Sequence, residues 1–285
     1  MIIDAHQHYW KLDRGDYGWL TPEVGETLYR DYMPENVRSE MDRCGVTGAI
    51  IVQAAPTIAE TEFLLELCEL DEKLIGVVGW LDLNGSDFEK HYVRLRSSRR
   101  FIGIRPNFPS VPDGDWSRYP QIIHNLTLIA EDRFPVDLLI RPSVYPDMIG
   151  MLKCVPGLWA IIDHLGVPSI ENGVDLEWRV GLEQMAAYEH VYCKLSGLAT
   201  GSGGRAWKAA EVKPYVKLAN DMFGSKRLLF GSDWPVSLQA GGYGDMLELA
   251  REVLPSEWSS AEIEDVFGRN AIQFYQLERK EVLPG

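Results

Sequence analysis

Eight short strand-like runs alternate with amphipathic helical stretches along the whole chain, and that rhythm limits the fold more than any single motif does. The runs cover positions 2–5, 49–53, 75–80, 101–104, 136–140, 159–162, 191–194 and 228–230. Helical spacing is expected over 34–44, 60–73, 87–99, 121–132, 145–153, 176–188, 206–222 and 261–275; in the second of these Phe63, Leu64, Leu67 and Leu70 share one face. Strand and helix in strict alternation imply a parallel sheet, and eight such units in 285 residues suit an α/β chain closed into a (β/α)8 TIM barrel. A doubly wound open sheet is the alternative, weakened because no Gly-x-Gly-x-x-Gly follows the first run. With no linker, low-complexity segment or duplication, residues 1–285 read as one domain.

A barrel places its working side chains just past the C-terminal ends of its strands. Those positions here carry His6 and His8, Gln53, Trp80, Arg105, Arg141, His164, Lys194 with Ser196, and Asp233. Residues two apart on a strand face the same side, so His6 and His8 aim at one cavity. Imidazoles with a carboxylate can hold a divalent cation or move protons near neutral pH. A lone His-x-His arises often by chance; the company of His164 and Asp233 raises its weight. His91 and His124 fall inside helical stretches and His190 precedes a strand, so these three read as structural. The connection 9–33 is long for a turn. Its aromatics, Trp10, Tyr17, Trp19, Tyr29 and Tyr32, either line the pocket mouth or anchor the loop. Gly-x-Ser-x-Gly is absent, which disfavours an acyl-enzyme. Gly201-Ser-Gly-Gly204 lacks the Gly-Lys-Ser/Thr ending of a phosphate loop and reads as a rim loop.

A formal charge of −14 argues against nucleic-acid or anionic-membrane partners. No apolar run approaches the ~20 residues that span a bilayer, and no leader pattern opens the chain. Cys44, Cys68, Cys154 and Cys193 are widely spaced and fit reduced core thiols in a cytoplasmic protein. Self-association into a homo-oligomer is left open.

Several motifs in order resemble the amidohydrolase superfamily. They are Ile-Asp-Ala-His6-Gln-His8-Tyr-Trp10, Asp16-Tyr-Gly-Trp19-Leu20, Val78-Gly-Trp80-Leu-Asp82, Gly103-Ile-Arg105, Asp163-His164-Leu-Gly166, Lys194-Leu-Ser-Gly197-Leu and Phe230-Gly-Ser-Asp233-Trp-Pro235. The likeness is strongest to the sugar-lactonase branch, the L-fuconolactonase and L-rhamnonolactonase-like proteins, and runs from position 2 to Asn270-Ala271. It implies a distorted barrel with the site at the C-terminal rim. It also implies a hydrolase that opens a small polar lactone, such as an aldonolactone, by activated water. Asp233, His6, His8 and His164 would be catalytic. Arg105, Arg141, Gln53, Trp80, Trp10, Trp19 and Lys194 would contact substrate.

The chain departs from the branch at Val167, where relatives carry Lys, and at Pro106, where they carry His. Arg105 and Arg141 occupy the places that hold ligands of a second metal in binuclear members, and a guanidinium is no metal ligand. One divalent cation, zinc by ligand type, is then the most that His6, His8 and Asp233, with His164, would hold. The same histidines can polarise a carbonyl without it, which makes metal-independent hydrolysis an equal expectation. The alternatives are a pyrone-dicarboxylate or muconolactone hydrolase, a metal-dependent decarboxylase of the same superfamily, and a non-catalytic sugar-binding barrel.

Overall fold

Val- and Ile-rich runs, apolar on both faces, pair in chain order into one eight-stranded parallel sheet. The computed structural model describes residues 1–198 and 208–280. Its strands are β1 (Ile2–Gln7), β2 (Val46–Val52), β3 (Leu74–Gly79), β4 (Phe101–Ile104), β5 (Val136–Leu138), β6 (Ala160–Ile162), β7 (Val191–Leu195) and β8 (Leu228–Phe230). Between them run α1 (Arg38–Arg43), α2 (Ile58–Leu70), α3 (Phe88–Arg96), α4 (Pro120–Glu131), α5 (Tyr145–Cys154), α6 (Leu176–Ala186) and α7 (Ala209–Phe223). All eight expected strands form, and the α/β barrel is the architecture. Register shifts between β1 and β2, β2 and β3, and β3 and β4 supply the expected distortion. No helix among the described residues is long and apolar enough to cross a membrane.

Two expectations fail at the C-terminal end. The stretch 261–275 is no single helix: α9 (Ser260–Glu264) and α10 (Asn270–Phe274) flank a π turn, Asp265–Arg269. The helix that follows β8 on the outer layer is instead Tyr243–Val253, which was not expected and is α8 by position, ahead of α9. Its buried residues Met246, Leu247, Ala250 and Val253 keep helical spacing, so the signal was present. The α10 segment then covers the N-terminal end of the barrel, where Ile272, Phe274 and Tyr275 join Ile3, Ile50 and Ile75 in one apolar cluster. The expected helix start at Ala206 and the Gly201–Gly204 loop lie outside the described residues. Cys154 is exposed rather than in the core, because it ends α5 on the solvent side.

Closure falls between β1 and β8, at their C-terminal ends. Asp233 N–H donates to His6 O at 2.9 Å, and His8 N–H to Trp234 O at 2.7 Å. The Asp4 carboxylate pins the same seam, accepting from Ser232 N (2.8 Å), His6 N (3.2 Å), Gln7 Nε2 (2.7 Å) and Tyr243 Oη (3.0 Å). Asp4 is fully buried. Asn at this position keeps one oxygen and turns the other into a donor facing donors. Asp4→Asn is therefore expected to lower the free energy of unfolding by about 3 kcal/mol, read from denaturant titrations at neutral pH. A variant as stable as the parent would show that the seam does not depend on this carboxylate.

Candidate active site

The seam sets His6 and His8 opposite Asp233. His6 is fully buried and His8 and Asp233 nearly so. Their Nε2 atoms lie 3.1 Å apart. His8 Nδ1 is 2.7 Å from Val52 O; a carbonyl only accepts, so Nδ1 carries the proton and Nε2 is bare toward the cavity. Burial lowers the pKa of both rings, further for His6, where the Lys194 charge adds to the effect. Both are neutral near pH 7.

His164 comes from the turn after β6. The segment Asp163–Gly166 and the following Val167 hold an unusual backbone: φ is +53° at His164 and Leu165 and +51° at Val167, the left-handed region that non-glycine residues avoid. Outside contacts hold it there. Trp178 Nε1–H donates to Leu165 O (2.7 Å) and Tyr145 Oη–H to Gly166 O (2.9 Å). The His164 ring meets Ser196 Oγ at 2.9 Å through Nδ1, and a Cβ on Gly197 would come within 2.7 Å of that nitrogen, so position 197 has no room for a side chain. Asp233 is also left-handed, at +59°. Strain of this kind persists only where surroundings over-determine it, as at functional sites.

One oxygen of Asp233 faces all three rings: His8 Nε2 at 3.5 Å, His6 Nε2 at 3.8 Å and His164 Nε2 at 4.0 Å. Burial alone would raise the Asp233 pKa. The imidazoles of His164, His8 and His6 around its oxygen outweigh it and hold the carboxyl below its usual range. The group is a carboxylate throughout the neutral range.

Beneath the histidines lies a buried set of charges. Lys194 Nζ contacts Asp137, lies 3.1 Å from Asp163 Oδ1 and 3.2 Å from His6 Nδ1. Arg105 pairs with Asp163 at 3.4 Å and donates to Gln53 O. Burial raises Asp137 to about 6, while the Lys194 and Arg105 charges, with the neighbouring His6, overcome burial at Asp163 and keep it ionised. Lys194, expected at the substrate, is thus placed elsewhere: it sits inside β7, fully buried under the site, because its side chain follows the inward face of the strand.

Above this floor opens a cavity of about 500 Å³, lined by His8, His164, Asp233, Gln53, Arg105, Arg141 and Trp19. It shares Gln53, Arg105 and Arg141 with a second lobe of about 350 Å³, whose other walls include Pro106, Phe108, Val144 and Met148. Arg141 is exposed; its carbonyl accepts from Val144 N (3.0 Å), and no hydrogen bond or ion pair joins its guanidinium to the other described residues. Trp19 leans over the mouth with Nε1–H donating to Ala54 O (2.8 Å). Trp80 stands beside the pocket, held by Asn107 Oδ1 at 3.0 Å. Trp10 corrects the sequence expectation: it is fully buried, donates to Arg30 O (2.7 Å) and packs on Trp19 and Tyr32, so it anchors the loop. His91 and His124 lie on outer helices, and His190 stacks on Trp159. Sequence reasoning missed Asn107 and Leu139, which line the pocket, and Asp137, whose charge within an apolar strand was a usable signal; Val167, singled out as a departure at the rim, also lines it.

Comparison with known proteins identifies the family and the fold. The family profile described as amidohydrolase matches residues 3–277. An L-fucono-1,5-lactonase from Burkholderia ambifaria is 34% identical over 280 residues, 97% of this chain and 96% of that protein. An amidohydrolase crystal structure from Burkholderia multivorans with bound HEPES superposes with a TM-score of 0.89 at 31% identity, covering 100% of both chains. Another crystal form of a Burkholderia multivorans amidohydrolase, with bound zinc, gives 0.87 at 30% identity over 100% of both chains.

The wall that carries Trp19 rests on a buried acid. Glu60 accepts from Ala54 N at 2.8 Å through one oxygen, while the other has no partner, and burial raises its pKa to about 8. A folded pKa above the unfolded one means the native state holds a proton that the unfolded chain releases. Stability from Glu60 is therefore complete below the unfolded value of 4.5 and is lost as pH rises through about 8. Glu60→Gln is neutral at every pH, so its melting temperature is expected to match the parent near pH 5 and exceed it by a growing margin up to pH 9. Parallel melting curves across that range would contradict the assignment.

Proposed function

The chain belongs to the amidohydrolase family, and from that premise we propose that its rim site hydrolyses a small polar lactone to the hydroxy acid. An aldonolactone of the L-fucono or L-rhamnono type fits best. The observation that carries this reading is the meeting of three imidazoles on one oxygen of Asp233, at the floor of a cavity walled by Trp19 and an exposed Arg141. The similarity to an L-fucono-1,5-lactonase supports the substrate class.

In this reading water attacks the lactone carbonyl carbon while Asp233 takes its proton. Negative charge then gathers on the carbonyl oxygen, where His164 and His6 would act as hydrogen-bond donors, since the His8 proton is held on Nδ1 by Val52 O. The ring C–O bond breaks and Asp233 returns the proton to the departing ring oxygen, which leaves a hydroxy acid. The carboxylate of Asp233 is always in its basic form near neutral pH. Arg141 can grip hydroxyl or carbonyl oxygens with its planar fork, and Trp19 offers a flat apolar wall to the ring. Arg105 has less freedom to bind substrate, since Asp163 and the Gln53 carbonyl already hold it. The expected role of Lys194 is withdrawn.

The residues also suit one cation. Ligand atoms of His6, His8 and Asp233 lie within 4.8 Å of one another. The 3.1 Å between the two Nε2 atoms is near the about 3.4 Å expected for two imidazoles on one tetrahedral ion. A divalent cation there, zinc by ligand type, would polarise the carbonyl as a Lewis acid. Histidine donors can do the same through hydrogen bonds, so we infer at most one weakly held ion.

Three measurements test this. A panel of sugar lactones, a dicarboxylated pyrone and a muconolactone, followed with a pH indicator, should show acid release from the sugar lactones; opening of the last two alone would overturn the substrate class. Asp233→Asn should lose at least about 100-fold in kcat with the fold intact, and near-normal turnover would remove Asp233 as the base. Metal analysis of protein purified without added metal should find at most one equivalent per chain. Two tightly held equivalents, with activity lost to a chelator and restored by zinc, would overturn the single-ion reading.

A further inference from the structure

The second lobe of the cavity has a chemistry of its own. Pro106, Phe108, Pro109, Ser110, Val144 and Met148 line it and not the first lobe; none is ionisable, and only Ser110 has a polar side chain. Side chains that can hold hydroxyls, Gln53, Asn107 and Arg141 among them, line both lobes and so stand at the neck. Apolar surface also reaches the mouth, where Trp19, Leu139 and Val167 are exposed, Leu139 by 53%. The lobe is preformed. The connection 105–119 that walls it is tied to α5: Val111 N–H donates to Asp147 Oδ2 at 3.2 Å and Trp116 Nε1–H to Asp147 O at 2.6 Å. Trp116 is buried and meets Phe108 edge-on, with ring centroids 6.2 Å apart.

Volume decides what can enter. An apolar cavity of about 150 Å³ takes up benzene, so the about 350 Å³ of the second lobe holds a ring of that size or a chain of about five carbons. A monocyclic lactone opened at Asp233 occupies the first lobe and leaves the second without an occupant. In an aldonolactone the ring carbons after the carbonyl carry hydroxyls, and the carbon chain continues only from the carbon that bears the ring oxygen. We propose that the second lobe is a subsite for that continuation, and that the substrate is a lactone with a hydroxylated ring and an apolar alkyl or aryl arm. Ring hydroxyls meet Arg141 at the neck, and the arm passes it to pack on Phe108 and Met148. A hydroxylated arm of the same length is disfavoured, because its hydroxyls give up water and find only Ser110 among the side chains. The terminal methyl of a deoxy sugar lactone is the shortest arm of this kind, and the lobe has room for more.

This specificity rests on the lactonase reading, and the test separates the two. Six-membered lactones with the same ring hydroxyls and a methyl, propyl or pentyl arm are compared with one whose propyl arm carries three hydroxyls, each followed with a pH indicator. From methyl to pentyl, kcat/KM should rise at least about 10-fold, well under the about fourfold per methylene that full burial gives. The hydroxylated arm should fall at least about 10-fold below propyl. Cyclic ethers with the same arms lack the carbonyl and cannot be opened, so calorimetry on them reads binding alone, and their Kd should fall in the same order. Val144→Trp fills the lobe and should bring the pentyl-to-methyl ratio to about one. Inert lactones beside ethers that bind more tightly as the arm grows would overturn the lactonase reading and support the subsite. Turnover of the methyl lactone with no gain from a longer arm, or with the hydroxylated arm preferred, would overturn the subsite. A ratio unmoved by Val144→Trp would place the arm outside this lobe and overturn the assignment. The wild-type series decides whether an apolar arm is bound even if the variant does not fold.

Discussion

A barrel must join its last strand to its first, and here the join is made at the rim where the histidines stand. β1 and β8 meet through Asp233 N–H on His6 O and His8 N–H on Trp234 O, with Asp4 gathering four donors beneath them. The backbone atoms that close the sheet belong to the residues whose side chains form the site. Any loosening of the seam moves His6 and His8 relative to Asp233. Stability and chemistry are thus tied to the same few hydrogen bonds, which explains why an acid as costly to bury as Asp4 is kept there.

Below the site the barrel interior is not simply apolar. Asp137 and Asp163 face Lys194 and Arg105, two of each sign, so that the set carries little net charge. Tyr275 reaches up from the segment that covers the opposite end and donates to Asp137 at 2.9 Å. A buried pair needs good geometry and filled hydrogen bonds to offset desolvation. The network meets this condition in part: Asp137 accepts from both Lys194 and Tyr275, while Arg105 Nε has no hydrogen-bond partner among the described residues. Its fixed charges stand directly beneath His6, where Lys194 lies 3.2 Å and Asp163 3.4 Å from Nδ1.

The legible part of the site followed from one rule, that side chains just past strand ends reach the rim. It located Gln53, Arg105, Arg141, His164 and Asp233, all of which line the cavity. The rule failed for Lys194 because it tells which end of a strand a residue occupies but not how deep its head lies. Trp10 failed for a related reason: composition can assign aromatics to a loop over the pocket, yet only packing decides that Trp19 leans over the mouth while Trp10 is spent on Tyr32 and the Arg30 carbonyl. Helix α8 was overlooked since the stretch 261–275 already offered a helix to complete the eighth unit.

Local pattern by itself determined the α/β alternation, the eight strands and the identity of the imidazoles and carboxylate, because strand and helix periodicity and the chemistry of a side chain are properties of neighbouring residues. Tertiary structure alone decided the rest. The left-handed turn at His164 exists because Trp178 and Tyr145, from other parts of the chain, hold its carbonyls. The bare Nε2 of His8 exists because the Val52 carbonyl, 44 residues away, accepts from Nδ1–H and so keeps the ring's one proton there. Protonation and orientation are set by contacts between segments remote in sequence, and no local reading of residue type contains them.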